Sequence, residues 1–430
     1  MGFLPEKGDG RYNFIIGILN GVIFSFGSAF MDSTTVLPVF IKRYTTSDTL
    51  VGLASSLQRA GWLLPQLFIA GYLEGRSHKL PVYLYANAVR MGMLWLFVGF
   101  LWGYGTTYPN WVIGCFLALI GVGGLAGGVA GLPFTDIVGK VIPRRHTGMF
   151  YAIRFFFGAG VLSILAGVMV NFFLGVSSPF VFPENYGVIF GLAALLMSIG
   201  VFITGFMREP SGHISSTRRT ALSVIREIPQ LLRGDVNFKR LLVVQVMASG
   251  IGFSLPFYVV YAREAFGVSE SSVGLFLIVQ TVGAGISNLI WGRLSARQGN
   301  RQVILGTVIC SVLVPLLALM LWGSFGDVVR SGPTWWKTAA FLPIFFLMGA
   351  STSGTFIGFV SYLLDIAPEG RRPTYVGITN TVMGIAALFP ALGGALADTV
   401  HFQGVFAVSA IFVVISLILC RNLKVIHNES

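Results

Sequence analysis

An all-α integral membrane protein, built as two six-helix bundles related by a pseudo-two-fold axis along the membrane normal, is the fold class this sequence predicts. Three observations predict it. Of 430 residues, 54% are hydrophobic and only 11% charged, with mean hydropathy +0.78, where a soluble domain carries roughly 25% charged residues. Apolar runs of about 17 residues or more, long enough to cross about 30 Å of hydrocarbon, recur about twelve times. Short signatures in the first half return in the second at nearly the same offset, as they do when two halves share one plan.

The expected spans are 12–41, 50–73, 81–104, 110–134, 148–174, 186–207, 238–262, 271–292, 301–323, 337–364, 374–397 and 403–421. They divide the chain into an N-terminal bundle (1–207), a central loop (208–237) and a C-terminal bundle (238–430). The first run follows only Lys7 and Arg11, is too long for the apolar core of a cleavable signal, and lacks a small-residue cleavage site. The 54 glycines suit helices that pack by close backbone approach; Gly123, Gly124, Gly127, Gly128 and Gly131 form small-x-x-x-small faces on span four. Bends are expected at Pro38, Pro65, Pro256, Pro315, Pro343 and Pro390. Cys115, Cys310 and Cys420 all lie in apolar runs without metal or redox spacing.

Two repeats organise the chain. Gly71, Leu73 and Arg76 share the skeleton Gly-x-Leu-x-x-Arg with Gly292, Leu294 and Arg297. Upstream, Ser47-Asp48-Thr49-Leu50-Val51-Gly52-Leu53 matches Ser269-Glu270-Ser271-Ser272-Val273-Gly274-Leu275. A third pair has Asp136 followed by Pro143, Arg144, Arg145 and Gly148, against Asp365 followed by Pro368, Arg371, Arg372 and Gly377. The Gly-x-Leu-x-x-Arg loops resemble the signature between the second and third helices of the major facilitator superfamily (MFS), and its repeat between the eighth and ninth. The resemblance covers essentially the whole chain. It implies a monomeric transporter that works by alternating access, with spans one, two, four, five, seven, eight, ten and eleven around a midplane site. It also implies ion-pair latches near Gly71, Arg76, Asp136, Arg144, Arg145, Gly292, Arg297, Asp365, Arg371 and Arg372; the plainer reading of these basic residues is anchoring at lipid headgroups.

Charge placement gives an orientation. With the N-terminus inside, Lys and Arg in loops and ends divide about 21 against 5 in favour of the cytoplasm. The net charge of +12 is therefore a property of the membrane-facing loops, and no nucleic-acid partner is expected. Both termini are expected to be cytoplasmic, and the site of residence the cell (inner or plasma) membrane. In the central loop Leu222, Ile225, Ile228 and Leu232 recur at helical spacing opposite Arg226 and Glu227, as in an interfacial helix on anionic lipid; a plain linker is the alternative.

Ionisable groups inside spans are costly and mark function by default. Asp32 is the only deeply placed acid. Asn20, Ser28, Asp32 and Thr35 share one face of a continuous helix, and a carboxylate in a poorly hydrated cavity suits proton coupling; a structural acid is the alternative. Arg59 lies roughly 15 Å into span two, close to the midplane, sharing a face with Ser55 and Trp62. Its planar fork matches a carboxylate or phosphate, and the repeat places Gln280 opposite it, with Asn288 beyond. Gln245, Tyr362 and Asn380 are further candidate substrate contacts. Arg90, on a span that is peripheral in this superfamily, is expected in a structural pairing or snorkelling toward lipid, and Arg154 at the mouth of the inner cavity as a gate or snorkel. Asp398 is expected to be solvated at the outer end of span eleven.

Three intramembrane arginines against one acid favour a small anionic or zwitterionic organic solute, carried by proton-coupled secondary transport. The alternatives are multidrug or amphiphile efflux by proton antiport, and a non-transporting receptor or scaffold on the same fold. The Gly-Pro-x-x-Gly-Gly element of drug antiporters is incomplete in span five, where Phe157-Gly158-Ala159-Gly160 has no proline. No Walker motif, zinc spacing or nucleophile elbow is present, so neither an enzyme, a cofactor nor a metal is expected. The expected partners are a small-molecule substrate, membrane lipids and protons.

Overall fold

The computed structural model describes residues 8–212, 228–229, 231–368 and 371–424, and these are helical throughout with no β-strand among them. Among them 10 segments are long and apolar enough to cross a membrane. One of these, Thr374–Asn422, is two spans. His401 breaks it at φ 59, and the rings of Phe389 and Phe412 come to lie 5.9 Å apart, where a straight helix would separate them by about 34 Å. Asp48–Glu74 adds another, which makes twelve crossings. Span one is Asp9–Ala29 with Val36–Lys42, span two Asp48–Glu74, three Leu80–Tyr104, four Pro109–Val141, five Arg145–Phe173 and six Glu184–Thr204. Span seven is Val236–Phe266, eight Ser272–Gln298, nine Asn300–Met320, ten Thr334–Ile366, eleven 372–400 and twelve 402–419. The near end of the bundle carries residues 8 and 424 and the central loop; the far end is opposite.

Span one is interrupted between Ala29 and Val36, and the local sequence explains why. Asp32 Oδ1 accepts hydrogen bonds from the backbone N–H and the hydroxyl of both Thr34 and Thr35, at 2.7–2.9 Å. An aspartate followed by Ser-Thr-Thr thus offers the backbone a turn in place of the helix. The continuous face expected through Asn20, Ser28, Asp32 and Thr35 does not form, because the chain leaves the helix before Asp32. Span seven breaks at the corresponding place, through a 3-10 turn at Ser249–Phe253. There the Ser254 hydroxyl sits between Tyr258 Oη (2.7 Å) and Ser409 Oγ (2.9 Å). Pro38, Pro256 and Pro390 lie at or beside the starts of the helices that follow breaks, where a missing N–H costs nothing. Pro65, Pro315 and Pro343 lie inside helices that run on unbroken.

The apolar core has the shape of a V. At the far end one cluster joins both halves, from Phe40, Phe116 and Phe190 to Phe257, Phe276 and Phe341. Toward the near end it divides into a cluster of the N-terminal half, around Phe14, Tyr83 and Phe150, and one of the C-terminal half, around Phe238, Phe359 and Tyr375.

Remote carboxylates hold the near end together. The first backbone N–H groups of a helix have no partner inside it, and negative charge is favoured there. Glu209, just past span six, accepts from the backbone N–H groups of Lys79 and Leu80 at the start of span three, both at 2.8 Å, and from Lys140 Nζ at 2.8 Å. Its side chain is only 2% exposed. Asp235 caps span seven through Phe238 N–H (3.0 Å) and takes Tyr375 Oη on its other oxygen (2.7 Å). Of the amphipathic stretch expected in the central loop, Ile228 and Leu232 pack on the C-terminal core; Leu222, Ile225, Arg226 and Glu227 lie outside the described residues.

Glu209→Ala, which leaves two backbone donors without their acceptor and takes one of two carboxylates from Lys140, is expected to cost about 2 kcal/mol. The measurement is the unfolding midpoint of the detergent-solubilised protein, and an unchanged midpoint would contradict this role.

Candidate functional site

The far end is closed by contacts between the halves. Asp398, at the end of span eleven, accepts from Asp48 N–H (2.7 Å), Thr49 N–H (3.0 Å), Thr49 Oγ1 (2.6 Å) and Ser47 Oγ (3.1 Å). A carboxylate of the C-terminal half therefore caps a helix of the N-terminal half, and Asp398 stays exposed while doing so, in line with the expectation of a solvated position. Around it, Lys42 reaches Glu264 at 2.9 Å and Asp48 at 3.1 Å. The second copy of the repeated signature docks in the related way. Glu270 accepts from Tyr186 Oη of span six (2.7 Å) and pairs with Arg263 (3.0 Å), while Asn171 of span five donates to the Ser271 carbonyl (2.9 Å).

The matched glycines of that signature, Gly52 and Gly274, make close backbone approaches between the halves. A Cβ on Gly52 would run into the Pro390 carbonyl, and one on Gly274 into the Gly167 carbonyl. Both obstacles are backbone, so neither can swing aside.

The face of span two that carries Arg59 follows from its neighbours. Ser56 Oγ accepts from Ala391 N–H of span eleven, Gly61 lies against Gly124 of span four, and Ser55 Oγ donates to the Ser33 carbonyl of span one. At about 100° per residue, Arg59 points between the span-one and span-eleven directions, toward the C-terminal half. The opposite side carries the exposed Phe68. Arg59 is exposed and forms no hydrogen bond or ion pair with another described residue. Two asparagines occupy the corresponding face of the other half. Asn288, exposed, lies between the Trp291 side of span eight, bonded to Ala350 of span ten, and the Gly274 side, packed on span five. Asn380 lies between Gly384, packed on Leu64, and Met383, which meets Ser249.

Other expected contacts sit elsewhere. Gln280 meets Thr34 at 3.0 Å, and Thr34 is bonded to Asp32 at 2.7 Å, so the break in span one is tied to span eight. Gln245 turns into the C-terminal bundle, with its Oε1 buried and without a partner among the described residues. Tyr362 is corrected from substrate contact to structural residue: it is 1% exposed, and its hydroxyl donates to the Lys424 carbonyl at 2.9 Å. Arg154 is corrected from gate to brace. It donates to the Gly17 carbonyl (2.6 Å) and Asn20 Oδ1 (3.2 Å) of span one and stacks over Phe134. Gly21 leaves the room it needs.

Trp62 and Arg90 both face a cavity of about 230 Å³ inside the N-terminal bundle. Arg90 therefore points inward, against the expectation of a structural pair or a lipid-side snorkel. Sequence spacing places Trp62 beside Arg59, but only packing shows that it also lines this cavity, against Gly127 and Gly131 of span four.

The near-end acids bind within their own halves. Asp136 pairs with Lys79 (2.8 Å) and Lys140 (3.1 Å), and Asp365 accepts from Asn300 (2.6 Å). Each ties the end of its fourth or tenth span to the start of the third or ninth. Arg76 lies over Tyr72 (4.4 Å) after the turn that follows Gly71. Arg145, Arg297, Arg371 and Arg372 are exposed, as is Gly292; the side chain of Arg144 lies outside the described set.

The twelve spans form two six-span bundles closed at one end, with Arg59 unpaired among the described residues on the face between them. A family model described as Major Facilitator Superfamily matches residues 241–425. The whole fold is similar to that of solved transporters. The inward-open xylose transporter of E. coli shows a TM-score of 0.69 at 12% identity, covering 97% of both chains. A nucleoside transporter shows 0.67 at 14%, covering 97% of this chain and 100% of the other, and a bacterial homologue of the iron transporter ferroportin, inward-facing, 0.65 at 15%, covering 96% and 98%. The C-terminal half of the chain is thus similar to the major facilitator superfamily, and the whole chain shares the fold of these solved transporters. Uncharacterized proteins of Mycobacterium tuberculosis and Mycobacterium bovis are 23% identical over 66% of this chain and 53% of their own length. The chain thus spans about half the length of the curated relatives it matches.

Asp398→Ala and Gly52→Ala are each expected to open the far end, the first by roughly tenfold or more, since charge-assisted hydrogen bonds contribute about 1.5–3 kcal/mol. Labelling of Ser55→Cys by an impermeant maleimide from the far side, with Cys115, Cys310 and Cys420 replaced, reads the change. Equal labelling with and without Asp398→Ala would sink the capping account.

Proposed function

We propose that this protein moves a small anionic or zwitterionic organic solute across the cell membrane by alternating access, with the near end cytoplasmic and the chain working as a monomer. The supporting observation is Arg59, a fixed charge without a protein partner on the face between the halves, with Asn288 and Asn380 across from it. An unpaired guanidinium at this depth is costly, and a carboxylate or phosphate bound in bidentate fashion offsets that cost. Because a wall of the site belongs to each half, a solute held there is exposed to one side or the other as the halves rock.

Proton coupling enters through Asp32. Its carboxylate holds Thr34, and Thr34 meets Gln280 of the other half. Protonation would weaken the Thr34 bond and with it the bridge between the halves. Efflux of amphiphilic cations is the second reading, and the unpaired positive charge of Arg59 disfavours it.

The test is uptake into proteoliposomes of a panel of organic acids, amino acids and cationic dyes. Arg59→Gln should lower transport of the anionic solute by at least a hundredfold with the unfolding midpoint retained. Asp32→Asn should abolish proton-driven accumulation while leaving solute exchange. Transport of cationic dyes at equal rates by wild type and Arg59→Gln would overturn the anion reading in favour of efflux.

A further inference from the structure

The cavity inside the N-terminal bundle is built by that half alone, on the inner faces of spans one, two, three, four and six. Its polar lining includes Arg90, Gln58 and Ser28, beside Trp62. The Arg90 side chain runs along a trough cut by glycines of span four. A Cβ on Gly123 would lie 3.7 Å from Arg90 Cγ, and one on Gly127 3.3 Å from Nη1. The guanidinium lies 5.4 Å from the centre of the Phe24 ring, which leaves the edge of its donor fork free.

No other described residue of this half answers that charge. Among the described residues Arg90 forms no hydrogen bond or ion pair, and neither does the side-chain amide of Gln58. The nearby acids are engaged elsewhere: Asp32 with Thr34 and Thr35, Asp48 with Lys42, Asp136 with Lys79 and Lys140, and Glu209 with Lys140. A planar fork of five donors, an adjacent amide and an indole wall together match a carboxylate or phosphate group. The cavity has room for a small anion and its waters.

We propose that this cavity is a second binding site, for a small free oxyanion of the carboxylate or phosphate class, held by Arg90 and Gln58 against Trp62. The site goes beyond the transport reading and does not rest on Arg59. Its occupant enters past Trp62, which is 44% exposed and stands beside the Arg59 face.

The test uses the full chain in phosphatidylcholine nanodiscs, where no anionic headgroup competes. Intrinsic tryptophan fluorescence is followed during titration with inorganic phosphate, with succinate and, as the neutral control, with succinamide at matched ionic strength. The expected result is a saturable change with at least one of the anions and none with succinamide. Its amplitude should fall at least threefold in Trp62→Phe, its affinity at least tenfold in Arg90→Gln, and both should persist in Arg59→Gln. Gln58→Leu, which removes no charge, should weaken binding severalfold and guards against misfolding of Arg90→Gln. No saturable response in wild type, or a response unchanged in both Arg90→Gln and Gln58→Leu, overturns the proposal. A response lost in Arg59→Gln but kept in Arg90→Gln overturns it while leaving the transport reading intact.

Discussion

The closed far end depends on one carboxylate meeting one helix terminus. Span two begins at Asp48 with backbone N–H groups that no residue of its own helix can satisfy, and Asp398 of the other half satisfies two of them. The interaction is strong because charge and orphan donors meet. It is also conditional, since it exists only while the two halves are together at this end. A contact of that kind stabilises one arrangement without fixing the molecule in it, as a transporter requires.

Around this contact, the internal repeat is read out as geometry. Ser47-Asp48-Thr49 docks on span eleven and Glu270-Ser271 docks on spans five and six. Gly52 and Gly274, at matching places in the two copies, let backbones touch where a methyl group would collide. In lipid, helices gain little from hydrophobic attraction to one another, so close backbone packing carries the association. Two pseudo-symmetric interfaces of this type form a hinge line, and the apolar core divides below it. The chain breaks in spans one and seven lie at this level, where short helix segments can pivot.

Two unpaired arginines follow from this scaffold with different surroundings. Arg59 lies on the face turned toward the other half, where both halves contribute neighbours. Arg90 belongs to a single rigid bundle, cradled by the glycines of span four. Arg154 shows the contrast, because a carbonyl and an asparagine of span one already satisfy it. Similar residues at similar depth thus do three different things, and only the partners available in three dimensions distinguish them.

The sequence by itself determined the twelve spans, the two halves and the motifs that mark them, because hydrophobic run length and repeat spacing are local quantities that burial in lipid must obey. Helical spacing also put Arg59 on one face with Ser55 and Trp62, while the repeat set Gln280 opposite it, where the structure has Gln280 on Thr34. Partner choice lay beyond the sequence. That Asp398 caps span two, that Glu209 caps span three, that Tyr362 is core and that Arg90 faces a cavity each depend on which distant segment arrives at a given point. Even the break at Asp32, whose Ser-Thr-Thr signal is local, could be distinguished from a functional acid on a continuous face only once its four hydrogen bonds were in place. Tertiary structure decided these matters because hydrogen-bond satisfaction in a membrane protein is settled between segments, over distances in sequence that no local pattern records.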